Sequence, residues 1–136
     1  MKEFLAAAAM ALSMAWAAAP GHADESAIQG VIDAQIEAFR GDDFETAFTY
    51  AAPNIRTMFD NPDTFGTMVR NGYPMVWQPG TVEYLGAEED GATWHQDVLI
   101  TDEAGRLHKL RYTMVETPEG WKIAGVELLR GPEVGA

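Results

Sequence analysis

Apolar positions recur every three to four residues over the first half of the chain and every second residue over the last part. Ile28, Val31, Ile32, Ile36 and Phe39 share one face of a helix that Ser26 opens, with Asp33, Glu37 and Arg40 between them. Gly41 suits a left-handed cap. Asp42, with Glu45 three residues on, has the form of a capping box for a second helix buried through Phe44, Ala47, Phe48 and Ala51. Pro53 ends that helix. Ile55, Met58 and Phe59 then anchor a short helix or turn, and Asn61-Pro62 supplies the N-cap and first position of a third helix closed by Gly72.

At Tyr73 the period changes to two. Residues 73–80 read as extended, but Pro74 and Pro79 confine them to an edge or a connection. Strands over residues 81–87, 93–101, 107–116 and 121–129, joined by short turns containing glycine, predict an antiparallel meander. The fold class is therefore α+β: N-terminal helices packed on a curved four-stranded antiparallel sheet, with a tapered cavity between the layers. Centring the second turn near residue 104 puts 100 opposite 108 and 95 opposite 113. On the last strand, Trp121 and Ile123 differ in parity from Val126 and Leu128. A bulge at Gly125 would bring both pairs to the helix side and make Trp121 a packing anchor there.

Residues 4–19 are almost wholly Ala, Met, Leu and Trp, after the short polar start Met1-Lys2-Glu3. Gly21-His22-Ala23 and the acidic Asp24-Glu25 follow, which is the layout of a secretory signal peptide cleaved after Ala23. The apolar run is shorter than the roughly 20 residues a spanning helix needs. The expected organisation is a signal peptide over 1–23 and a single domain over 24–136, periplasmic and with no stable membrane anchor once cleaved. The chain has no cysteine, so the exported domain must be held by packing alone. A net charge of −12 disfavours nucleic acid and anionic membrane surfaces as partners.

The closing E-G-W-K-I resembles the last strand of the nuclear-transport-factor-2-like superfamily of cone-shaped α+β domains. Four stretches are together similar to a family of small exported bacterial proteins, catalogued as a domain of unknown function (number 4864). They are I-D-A-Q-I-E-A-F (32–39), A-A-P-N-I-R (51–56), F-G-T-M-V-R-N-G-Y-P-M-V-W (65–77) and E-G-W-K-I-A-G-V-E-L-L-R (119–130). The resemblance implies the cone fold and a periplasmic address. It implies no reaction, cofactor or catalytic residue.

Strand alternation turns Tyr84, Gln96, His108 and Tyr112 toward the helices, where they would orient a small ligand in an apolar pocket. The plainer reading is four polar groups satisfied by neighbouring backbone. Arg56 is placed to hold a carboxylate, or else to pair with Asp60 or Asp63 on the surface. No catalytic residue is assigned, because Asp97 shares the polar side of its strand with Thr93 and His95. No metal site or cofactor is expected either, since His95 and His108 do not meet across their hairpin. The sequence thus points to a non-catalytic domain that binds a small apolar ligand or a partner protein. Two alternatives stand: an isomerase- or dehydratase-like enzyme using the same cavity, and an interaction module working through Tyr73 to Trp77. A homodimer is left open. Intact-mass measurement on the exported protein should find Asp24 at the N-terminus, and retention of residues 1–23 would sink the periplasmic expectation.

Overall fold

The computed structural model describes residues 20–130, so most of the expected signal segment lies outside the described residues. The elements in chain order are α1 (Pro20–Arg40), α2 (Phe44–Thr49), α3 (Pro53–Phe59), α4 (Pro62–Gly72), α5 (Pro74–Trp77), β1 (Pro79–Asp90), β2 (Thr93–Asp102), β3 (Leu107–Thr117) and β4 (Gly120–Leu129). The strands form one antiparallel sheet in the order β1-β2-β3-β4, an α+β architecture.

α1 lays Ile28, Ile32, Ile36 and Phe39 onto a sheet floor of Val98, Ile100, Leu110, Tyr112, Met114 and Ile123, and these side chains form the centre of the core. The helix begins at Pro20, six residues ahead of Ser26. Its C-terminal turn differs from the expected glycine cap. The left-handed residue is Asp42 (φ 56°), and Asp43 is the N-cap of α2, accepting from the Thr46 amide at 3.2 Å. Aspartate tolerates this conformation. The Asp42 carboxylate is also occupied elsewhere, accepting a 2.7 Å hydrogen bond from the Trp77 indole.

α4 follows its sequence signals closely. The Asn61 side chain accepts from the Thr64 amide at 2.9 Å, and Pro62 occupies the first turn. By contrast, residues 74–77 coil into α5 where an extended segment was expected. Pro74 serves at the first helical position, where its missing N–H costs nothing, and the turn delivers Met75 and Val76 into the core.

In the sheet, Ile100 pairs with His108 and His95 with Thr113, as the turn position demanded. Gly105 (φ 88°) makes that turn possible. The ladder shifts register at three places, at Gly80 near the start of β1 and at two bulges within the sheet. In β1, Leu85 and Gly86 lie between the pairs Tyr84↔Val98 and Ala87↔Gln96, opposite Asp97 alone. In β4, Ala124 is the extra residue between the pairs Thr113↔Gly125 and Met114↔Ile123. The second bulge reverses the parity of the strand, so Val126 joins Ile123 on the helix side. Leu128 acquires the same parity but stays exposed at the strand's end. Trp121 is half-buried at the opposite end, edge-on to Trp94 at 6.5 Å, rather than deep beneath the helices.

β4 would otherwise present a bare edge. The chain leaving α2 covers part of it through a parallel bridge of Ala51 with Ile123, in which the Ile123 amide donates to Tyr50 (2.9 Å) and the Ala52 amide donates to Ile123 (2.8 Å).

α2 and α4 meet at Gly66, which is buried with the Phe44 ring directly over its Cα. A methyl group there would overlap the ring. Gly66→Ala should lower unfolding stability by about 1–3 kcal/mol in a urea titration, despite alanine's better helix propensity. An unchanged or raised stability would show that Phe44 swings away freely.

Candidate functional site: an apolar cavity between the helices and the bent strand

The bend in β4 leaves a space of about 240 Å³ that the helices roof but do not fill. Its floor is Phe39 from α1 with Ile123, Gly125 and Val126 from β4. Ile55 and Phe59 of α3 wall one side, and Phe65, Met68 and Val69 of α4 wall the other. The aromatic walls brace one another, with Phe65 5.2 Å from Phe48 and 5.8 Å from both Phe39 and Phe59. The walls are thus held by ring packing within the geometry such pairs favour. Met58, 66% exposed, stands at the rim.

Two polar side chains line this space. Gln35, buried in the α1 stripe, donates its amide N–H to the Ala47 carbonyl at 3.1 Å. Tyr73, between α4 and α5, donates its hydroxyl to the Val126 carbonyl at 3.1 Å. The lining includes no aspartate, glutamate, histidine, lysine or arginine.

The residues expected to form a site lie elsewhere. Gln96 is fully buried and its amide closes the β1 bulge. It donates toward the carbonyls of Leu85 (3.2 Å), Gly86 (3.3 Å) and Asp97 (2.9 Å), and accepts from Gln29 at 3.2 Å. Tyr84 ties β1 to α1, its hydroxyl 2.6 Å from the Asp33 carboxylate and 3.2 Å from the Gln29 carbonyl. Burial and then that carboxylate push its pKa far above the ordinary phenol value. Tyr112 is sealed in the core next to Gln96 across the ladder, and burial alone raises its pKa.

His108 is half-buried at the second turn, where its ring lies 2.9 Å from Asp102. Asp102 also accepts from the amides of Ala104 (2.9 Å) and Arg106 (2.8 Å), and the His108 contact and these bonds hold its pKa down at about 2. Arg56 is exposed, with its guanidinium 5.3 Å over the Phe48 ring; among the described residues it forms no ion pair with Asp60 or Asp63. Tyr84, Gln96 and Tyr112 therefore cluster between α1 and the sheet, His108 and Arg56 lie apart from them, and none of the five lines the cavity.

His95 and His108 do not meet. Each takes an aspartate instead, His95 with Asp90 at 3.1 Å and His108 with Asp102. Asp97 lies on the outer face of the sheet, where Arg111 holds it with two bonds of 2.8 and 3.1 Å and depresses its pKa. No group of three or more metal-ligating side chains occurs among the described residues.

Gln35 is the cavity residue that sequence reasoning passed over, and its signal was present. It falls three residues after Ile32 and four before Phe39, a polar residue on the buried stripe.

The family profile described as a domain of unknown function (DUF4864) matches residues 21–136. The chain belongs to that family. No functionally curated protein matches it. Several solved chains share the fold of this DUF4864 domain, and two of them illustrate it. One is the solution structure of RPA3114, a SEC-C motif containing protein from Rhodopseudomonas palustris, with a TM-score of 0.54 and 15% identity over 73% of this chain and 76% of that one. The other is Aln2 from a Streptomyces species, with a TM-score of 0.50 and 15% identity over 83% of this chain and 93% of that one. At such identities the likeness is one of fold alone.

The Tyr112 hydroxyl is the one sealed side-chain polar atom without a hydrogen-bond partner among the described residues. A buried hydroxyl that makes no bond contributes only its desolvation cost. Tyr112→Phe should therefore leave unfolding stability unchanged or raise it by up to about 1 kcal/mol. A clear loss in urea titration would reveal a partner for that hydroxyl, such as an internal water.

Proposed function

We propose that this DUF4864 domain is a non-catalytic binding protein that takes a small apolar ligand into the cavity between α3, α4 and β4. We further propose that it works in the periplasm, with a fold of the nuclear-transport-factor-2-like type. The lining of the cavity carries this reading. Carbon-rich walls with two placed polar groups are the usual make-up of a small-molecule site. A space of about 240 Å³ exceeds the 150 Å³ or so of an engineered apolar cavity that binds benzene. It suits a ring system with a short substituent.

The enzyme alternative needs a positioned proton acceptor, and the lining offers neither carboxylate nor imidazole. The interaction alternative needs a free aromatic surface at Tyr73 to Trp77. There Met75 and Val76 are buried, and Trp77 is half-buried, bonded to Asp42 and covered by Arg70 at 5.4 Å. Both observations favour the small ligand. The export signal read in the sequence supports the periplasmic address. Its proposed cleavage after Ala23 leaves Asp24 and Glu25 at the start of α1, where acidic side chains suit the helix dipole.

Calorimetric titration of the 24–136 protein with 2-naphthol should show a single site. Met68→Trp, which fills the cavity from its half-buried rim, should weaken that binding by at least about tenfold, or 1.4 kcal/mol, while circular dichroism shows the fold retained. Absence of binding to the wild-type protein, or equal binding to the folded variant, would overturn the reading.

A further inference from the structure

The two polar groups in the cavity both keep an uncommitted oxygen: Tyr73 has given away its one hydroxyl proton, and Gln35 one of its two amide protons. Gln35 spends an amide N–H on the Ala47 carbonyl, which fixes its amide orientation and leaves the side-chain oxygen Oε1 without a donor among the described residues. The space that Gln35 lines is the cavity, and the uncommitted oxygen belongs to that lining side chain. The Tyr73 hydroxyl likewise gives its proton to the Val126 carbonyl and keeps only oxygen lone pairs for a further bond.

Building on the proposed function, we infer that the cavity selects a neutral apolar molecule bearing a hydrogen-bond donor, such as an aromatic alcohol, and discriminates against carboxylates. A hydroxyl or N–H on the ligand would satisfy Gln35 Oε1, or the Tyr73 oxygen, inside apolar walls where the bond meets little competition from water. A carboxylate would find at most the second Gln35 N–H as a donor in the lining, and its other lone pairs would face oxygens or carbon. It would also lose its hydration with no lysine, arginine or histidine in the lining to compensate. The net charge of −12 opposes anion entry as well.

Three probes on one bicyclic frame isolate the claim: naphthalene, 2-naphthol and 2-naphthoate, titrated calorimetrically into the 24–136 protein at pH 7. The expected order has 2-naphthol tightest, naphthalene about tenfold weaker, as one hydrogen bond allows, and 2-naphthoate the weakest. Gln35→Met and Tyr73→Phe, each confirmed folded, separate the two acceptors. At least one should reduce the preference for naphthol over naphthalene, read as the ratio of the two affinities within the same variant, to less than about twofold. Equal binding of naphthalene and naphthol by the wild-type protein would overturn the donor requirement and leave an apolar site. Naphthoate binding as tightly as naphthol would overturn the discrimination against anions. Failure of all three probes would overturn the site together with the function proposed for it.

Discussion

One extra residue in β4 governs where this fold opens. With Ala124 unpaired, the ladder resumes at Gly125, the strand bends, and Val126 turns to the same side as Ile123. A regular strand would have carried its second half outward and closed flat against the helices. The bend is held on both sides. The Asn54 amide of α3 donates to the Ala124 carbonyl at 3.0 Å, and the Tyr73 hydroxyl donates to the Val126 carbonyl at 3.1 Å. The carbonyls displaced by the irregular strand are thus bonded by the same helical layer that walls the cavity. Fold and cavity share a cause.

The bulge in β1 shows the opposite outcome. It frees carbonyls at Leu85 and Gly86, and Gln96 turns its amide onto them from the neighbouring strand while Gln29 supplies the remaining donor. That glutamine is fully engaged, and the core closes around it. Gln35 is the same residue type at similar burial, but it meets only one partner and borders the cavity. The contrast is one of satisfaction. A buried amide with every group bonded is structural, whereas one left with a free oxygen facing a space can orient a ligand.

The legible part of the sequence was the part written in local chemistry. The antiparallel register across the second turn followed from centring that turn near residue 104, and the parity conflict among Trp121, Ile123, Val126 and Leu128 called for a bulge at Gly125, one residue beyond the Ala124 that forms it. What stayed hidden depended on distant contacts. Asp42 takes the left-handed position beside an available glycine while its carboxylate holds Trp77, 35 residues away. Pro74 is equally at home in an extended segment and at a helix start, and only burial of Met75 and Val76 decides between them. Alternation correctly turned Gln96 and Tyr112 inward. It could not say which inward groups face a filled core and which face a void, because that depends on how far β4 bends from α3 and α4.

Charge is sorted as strictly as polarity. The carboxylates with depressed pKa values are matched outside the cavity: Asp43 with Thr46 at the start of α2, Asp97 with Arg111 on the outer face of the sheet, and Asp102 with His108 and the amides of its turn. The tyrosines with raised values are kept neutral between α1 and the sheet. A charged group placed in the cavity would face apolar walls and two hydrogen-bonded polar side chains, with nothing of opposite charge in the lining to offset its desolvation. That lining supports the function proposed above, recognition by shape and a single hydrogen bond.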